Sequence, residues 1–209
     1  MEFHGVELVC PACRTNLDQE DADSLRCAAC ERTFPILLGI PDLRLWPDPY
    51  VAFEEDRAIG LRLARECAHL SFPEAVEHYY RMTGRVPPFQ ARRFARGLTA
   101  ATARAAAQLD HWETLATDSS ERTALLEIGC GTAGLLQIAS ARYRETAGID
   151  IAFRWLVLAG KRLADAGVAV PLICACAEAL PFRDGVFTRV VADSSVEHLR
   201  DQRRALQEC

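Results

Sequence analysis

Lysine is nearly absent from this chain: Lys161 is the only one among 24 basic residues. With the high alanine content, the arginine bias reads as GC-rich coding rather than function. No apolar run reaches the roughly eighteen residues a membrane span requires. The opening residues, Met-Glu-Phe-His-Gly-Val-Glu, lack a basic stretch followed by an apolar core. No signal peptide is therefore expected, and a soluble cytoplasmic protein is the expectation. Internal repeats are absent, and the one biased tract is the alanine-rich Leu98–Leu109. Apolar residues make up 50% and charged residues 25% of 209, which excludes disordered, collagen-like and highly charged tail proteins. The length suits one medium domain plus a small module, or two small domains. A net charge of −5 and a pI of about 5.6 disfavour a strongly basic nucleic-acid binder and leave room only for a local basic patch.

Nine cysteines without a secretory leader form an odd set that argues against a disulfide framework. Four of them are arranged as Cys10-Pro-Ala-Cys13 and, after thirteen residues, Cys27-Ala-Ala-Cys30. Two residues between cysteines let both sulfurs of one turn face a single cation, and two such turns supply the tetrahedral thiolate set that zinc accepts. A redox Cys-x-x-Cys pair would sit at a strand-to-helix junction, and two copies would be odd. Four thiolates leave no open position for water, so the expected zinc is structural. A stretch this short buries little core, so the metal would supply much of its folding energy. The scattered Cys130, Cys174 and Cys176 are expected to be small buried apolar residues.

The chain divides into residues 1–46 with the paired cysteines, 47–122 rich in helix formers, and 123–209 with alternating strand-like and helix-like segments. Trp46-Pro47-Asp48-Pro49 reads as a stiff linker. Phe53, Ile59, Leu63, Cys67 and Leu70 recur at helical spacing. Ser71 suits the cap of a second helix with Pro73 in its first turn, closed at Thr83-Gly84. A third helix is expected from Pro88 to Trp112, carrying Arg92, Arg93, Arg96 and Arg104. These read as a solvated face rather than a partner- or RNA-binding one. The last part reads β-α-β-α-β-β-α: strands Thr123–Ile128, Ala147–Ile149, Val168–Ala175 and Val186–Ala192, with helices Leu135–Arg142, Phe153–Ala166 and one starting at Leu199. Such alternation implies a parallel, doubly wound sheet.

The first strand runs straight into Glu127-Ile-Gly129-Cys130-Gly131-Thr-Ala-Gly134. Glycines at 129, 131 and 134 allow a tight strand-to-helix turn and close approach of a ligand to the backbone. Alone this is a weak signal, shared with dinucleotide dehydrogenases. An acid at Glu127 is unwelcome beside a pyrophosphate but suits a cationic ligand with a free amine. Asp150 ends the next strand, about twenty residues on, where a carboxylate can accept both ribose hydroxyls. Ala177-Glu178-Ala-Leu-Pro-Phe182 follows the third strand, and Asp193-Ser-Ser-Val-Glu197-His198-Leu199 the fourth.

Together these motifs, in this order over residues 124–209, resemble the class I S-adenosylmethionine-dependent methyltransferases with "LDLGCGTG", "GVDIS", "DAEALPF" and "VLEHL". The resemblance implies a Rossmann-like α/β fold. It implies a cofactor site drawn from Glu127, Gly129, Cys130, Gly131, Gly134, Asp150, Ile151, Cys176, Ala177, Glu178 and Asp193. In it Glu127, Gly129 and Gly131 surround the methionine part and Asp150 holds the ribose. Ile151, Cys176, Ala177 and Glu178 flank the adenine, and Asp193 lies beside the methyl group. Cys176 stands where the family usually has an acid accepting from the adenine amine, which implies weaker binding because cysteine is a poor acceptor. Thr188 replaces a usual aspartate and reads as structural. In the first part, the two knuckles and Phe34-Pro-Ile-Leu-Leu-Gly-Ile-Pro-Asp-Leu43 resemble the Trm112-like zinc-binding family over residues 8–45. Arg14 and Glu31 stand where such knuckles often have glycine. That family implies a structural or interaction role, often as a helper of methyltransferases.

The expectation is thus an α/β chain: a zinc ribbon, a helical segment and an incomplete Rossmann-like sheet. The family sheet usually has seven strands and four are found, so the fourth strand is expected to expose a pairing edge. A partner or a second copy would cover it, or the chain is a fragment or truncated product, or the remaining half is dispensable, the least favoured of the three. Methyl transfer to a small molecule is the first reading of the function. An rRNA or tRNA base as acceptor is the second, and a non-catalytic cofactor-binding or partner-recruiting protein the third. No catalytic residue is assigned. His198 reads more as a helix-start histidine than as a base, and Glu197 as a surface acid.

Overall fold

The structure is a computed structural model that describes residues 1–115 and 123–209. A short hairpin, β1 (Glu2–Phe3) and β2 (Val6–Glu7), precedes an antiparallel sheet of β3 (Asp18–Asp21), β4 (Ser24–Arg26), β5 (Thr33–Leu37) and β6 (Ile40–Pro41) in sequential order. Four helices follow: α1 (Phe53–Glu66), α2 (Phe72–Thr83), α3 (Pro88–Thr99) and α4 (Ala101–Leu115). The remainder is β7 (Ala124–Ile128), α5 (Gly134–Ala139), β8 (Glu145–Asp150), α6 (Phe153–Asp165), β9 (Leu172–Cys174), β10 (Arg189–Val191) and α7 (Gln202–Glu208). These strands form a parallel sheet in the order β10-β7-β8-β9. The mixed α/β fold with a parallel sheet is the one the sequence implied.

Side chains alternate across a strand, so each strand of this sheet feeds two cores. Leu125, Leu172 and Cys174 face α4, α5 and α6, packing with Leu109, Leu136, Phe153 and Leu156. Leu126, Ile128, Ala147, Ile149 and Ile173 face the other way. That side is covered by Leu8, Leu17, Leu25, Phe34 and Leu43 of the N-terminal module, in one continuous core that includes Cys10 and Cys27. A parallel sheet needs both faces buried, and here the cysteine-bearing module supplies one of the covers.

The same module also closes an edge. Asp42 pairs in parallel with Cys174 of β9, and the Leu43 N–H donates to the Cys174 carbonyl at 2.7 Å. Leu8 bridges Phe182, and the Val9 N–H donates to Pro181 O at 2.9 Å. Arg14 donates to Leu180 O and pairs with Asp184, both at 2.7 Å. The opposite edge, β10, has only β7 beside it among the described residues. Thr188 begins β10 by donating to Ala124 O at 2.9 Å, the structural role its sequence position suggested.

Local signals explain most helix ends. Ser71 and Glu74 form a reciprocal capping box at α2, and Gly84 closes that helix in the left-handed conformation. The single helix expected from Pro88 to Trp112 is instead broken at Ala100. Three carbonyls before the break accept side-chain donors: Ala95 O from Thr99 Oγ1, Gly97 O from Arg104 and Leu98 O from Arg162. Such back-bonding bends helices, and the bend lets Ala101 approach Gly134 of α5. Val168–Ala175 contracts to β9 and Val186–Ala192 to β10, while Val196–His198 forms a single 3-10 turn and α7 starts only at Gln202. The end of the expected 47–122 segment lies outside the described residues.

Trp46–Pro49, expected to be a linker, is built into the structure through a buried ion network. Arg44 forks onto Asp42 at 2.7 Å and reaches Asp56 at 2.7 Å and Ile151 O at 2.8 Å. Arg154 pairs with Asp56 at 2.7 Å and Asp48 at 3.0 Å, and Arg57 joins Asp42 at 2.8 Å. Burial pushes the Asp42 carboxyl up, but Arg44 and Arg57 outweigh it and hold its pKa below the ordinary range. Asp56, on α1, also accepts the Phe153 N–H at the start of α6, where an anion suits the helix dipole. Asp56→Ala would remove the carboxylate that Arg44 and Arg154 share, leaving Asp42 and Asp48 as their remaining acidic partners, and should cost about 3 kcal/mol. Urea unfolding of the variant checks this, with Asp56→Asn expected to lose less.

Candidate active site and metal centre

In open α/β sheets ligands bind beyond the carboxyl ends of the strands, where strand order reverses. That reversal lies here between β7 and β10, and a cavity of about 320 Å³ opens there. One wall is Gly129 and Gly131 after β7, Asp150 and Ile151 after β8, and Ala175, Ala177 and Glu178 after β9. Asp48, Pro49 and Tyr50 form the facing wall, with Arg154 and Trp155 from α6 and Ser195 and His198 from the loop after β10.

The glycine-rich loop is fixed by its surroundings. Gly129 has φ +68° and a Cβ there would lie 2.4 Å from Ser195 Cβ, so no other residue fits. Ser195 Oγ in turn donates to Ile128 O at 2.9 Å. At Gly131, φ +51°, a Cβ would meet nothing within 4 Å, so the backbone there lies open to the cavity. Asp150 accepts the Gly131 N–H and the Ala152 N–H, each at 2.8 Å. Burial raises its pKa to about 6, against those two donors.

Of the residues expected to contact a cofactor, Gly129, Gly131, Asp150, Ile151, Ala177 and Glu178 line the cavity together. The Glu178 carboxylate is engaged elsewhere, accepting from the N–H groups of Arg200 and Asp201 at 2.8 and 3.1 Å. The other five are not on the wall. Cys130 is buried, its sulfur packed against Gly148. Gly134 starts α5 against Ala101. The Cys176 sulfur contacts Trp46 O at 3.6 Å, and exposed Asp193 accepts from Gln108 at 3.1 Å. Glu127 is buried behind the loop with Oε2 unpartnered. Burial raises its pKa well above the usual range, and the charges of Asp193 and Asp150 add to that. Cys130, Cys174 and Cys176 are all buried, as expected of small apolar residues.

Sequence reasoning missed Asp48, Tyr50, Arg154, Trp155 and Ser195. Asp48 accepts the Tyr50 N–H at 2.7 Å, which turns the chain so that Tyr50 reaches the rim. There its hydroxyl lies 3.4 Å from His198 Nδ1. The proline-flanked Asp48 was the one available signal, and nothing in the sequence names its distant partner Arg154.

The four paired cysteines converge, with every Sγ within 4.8 Å of the others. Cys10 and Cys30 lie 3.6 Å apart and Cys13 and Cys27 3.4 Å apart, close to the roughly 3.8 Å edge of a tetrahedron with 2.3 Å zinc–sulfur bonds. Arg14 and Glu31 adopt left-handed φ of 64° and 59°, so the knuckle turns form without glycine. The set fits a tetrathiolate metal.

Residues 126–209 match the family model of a methyltransferase domain, and residues 8–37 match that of Trm112p-like proteins. Among solved structures, the YcgJ protein of Bacillus subtilis is 27% identical over 41% of this chain and 37% of its own, with a TM-score of 0.39. CalS10, an amino pentose methyltransferase from Micromonospora echinaspora solved with S-adenosylmethionine, is 26% identical over 59% and 50%, with a TM-score of 0.44. An S-adenosylmethionine-dependent methyltransferase from Clostridium acetobutylicum is 17% identical over 41% and 36%, with a TM-score of 0.35. The chain thus spans half or less of the length of each. No curated protein matches it.

Because burial raises the Asp150 pKa to about 6, from 3.8 for a free aspartate, the native state keeps a proton that the unfolded chain has released between those values. Its contribution to stability therefore falls as pH rises through that window. The stability of the wild type relative to Asp150→Asn should decline from pH 4 to pH 6.5 in thermal unfolding. A flat difference would contradict the assignment.

Proposed function

We propose that the cavity binds S-adenosylmethionine and that the chain carries the cofactor half of a methyltransferase, residues 123–209. The helical segment 47–122 and a structural zinc ribbon, residues 1–46, complete the reading. The observation that carries it is the buried Asp150 carboxylate at the end of β8, joined to the open Gly131 backbone inside the cavity. Asp150 keeps unused lone pairs for ribose hydroxyls, and Ile151 and Ala177 offer apolar contact to a purine. Cys176 and the engaged Glu178 leave no side-chain carboxylate for an exocyclic amine, so affinity should be modest.

Bound there, the sulfonium supplies an electrophilic methyl group. The chain's part is orientation: in-line transfer proceeds largely by proximity and alignment. Cys10, Cys13, Cys27 and Cys30 would hold zinc as four thiolates, a closed set that supports folding. The outer edge of β10 is the surface on which a partner or second copy would pair.

Two acceptor classes fit the mouth beside Tyr50 and His198. A small molecule is the first, in keeping with the overall acidity. A single unstacked base is the second, and the arginine-rich surface of α3 favours it.

Calorimetric titration with S-adenosylmethionine and S-adenosylhomocysteine tests the reading. Micromolar binding is expected, with at least about tenfold loss in Asp150→Ala, or about 1.4 kcal/mol. A monodisperse, zinc-loaded chain that binds neither compound would refute it. Metal analysis of the same sample should return one zinc per chain, and Cys27→Ser should lose it.

A further inference from the structure

The acidity of the chain is unevenly placed. Between residues 78 and 109 there are six arginines, Arg81, Arg85, Arg92, Arg93, Arg96 and Arg104, and no aspartate or glutamate. All 29 acidic residues lie in the remainder, against 18 basic ones. Ordinary solvated helices intersperse the two signs at i,i+4 spacing.

The structure places three of the six on one exposed helix face. Ala91 and Ala95 of α3 are buried and the helix packs on α2, while Arg92, Arg93 and Arg96 are exposed. None of these three has an ion pair or hydrogen bond among the described residues, whereas Arg85 pairs with Glu55 at 3.2 Å. Phe89 precedes them by three, four and seven residues, so all four side chains share one helix face. Its ring is 64% exposed. Phe94, 43% exposed, instead packs on Tyr80 with ring centroids 5.5 Å apart.

We propose that this face of α3 binds a single-stranded segment of nucleic acid. Unpaired guanidiniums match phosphates, and a flat ring among them offers a stacking surface for one base, the pairing that single-strand binders use. The acidic remainder of the surface repels a polyanion and so steers it to this face. An anionic membrane is a poorer match, because Phe89 is the only apolar side chain among the guanidiniums, and a membrane-surface helix needs a broad apolar face. The inference goes beyond the methyl-transfer reading, and its test reads binding alone.

The test is fluorescence anisotropy of labelled twelve-nucleotide single-stranded RNA and DNA titrated with the full zinc-loaded chain over a range of salt. Binding should weaken with salt, by a slope of about −0.7 per phosphate contact. Arg92→Ala/Arg93→Ala/Arg96→Ala should reduce that slope by about 2 and weaken binding by at least about tenfold. Phe89→Ala should weaken binding and leave the slope unchanged. All four side chains are exposed, so zinc content and unfolding midpoint should match the wild type. Preference for RNA, or equal binding of both oligonucleotides, supports the proposal and says which polynucleotide is held. It is overturned if neither oligonucleotide binds at low salt, or if the triple variant keeps the wild-type slope. Co-sedimentation with phosphatidylserine vesicles in place of oligonucleotide binding would also overturn it.

Discussion

The sheet has an apolar face that α4, α5 and α6 do not cover and that the segment after β9 covers only in part, with Leu180, Phe182 and Ala205. Leu126, Ile128, Ala147, Ile149 and Ile173 would meet water if α4, α5 and α6 were the only helices on the sheet. Burying a large apolar side chain is worth about 1.5–3 kcal/mol, so leaving the face open would cost an amount comparable to the net stability of a typical domain. The N-terminal module covers the rest with Leu8, Leu17, Leu25, Phe34 and Leu43, and Cys10 and Cys27 of the two knuckles sit in that core. Whatever holds the two knuckles together therefore also holds one side of the sheet.

The cavity inherits this dependence. Its far wall, Asp48 to Tyr50, belongs to the segment leaving the N-terminal module, and Arg154 fixes that wall to α6. The network of Asp42, Arg44, Asp56 and Arg154 brackets the loop that follows Asp150, since Arg44 takes Ile151 O and Asp56 takes the Phe153 N–H. Residues far apart in sequence thus meet around the cavity at the strand ends.

What the sequence made legible was local. Ser71, Gly84 and Gly167 fix helix ends through short-range chemistry, and the glycines after β7 and the acid after β8 occupy the cavity they imply. The strand ends were overread where apolar composition outlasts pairing: Pro171 has no N–H, and β9 begins only after it. The ion network was hidden because Asp42, Asp48 and Asp56 stand in ordinary local contexts and their partners lie up to 106 residues away. The arginines of α3 were legible as a helix face but read as solvated; the structure adds exposed Phe89 among Arg92, Arg93 and Arg96.

The shared core is tested most directly by hydrogen–deuterium exchange before and after zinc is removed with a chelator. Exchange should rise in the ribbon and, with it, in β7 and β8, because their second face loses its cover. Fast exchange confined to residues 1–46, with the amides of Ala124–Ile128 and Glu145–Asp150 still protected, would contradict the account.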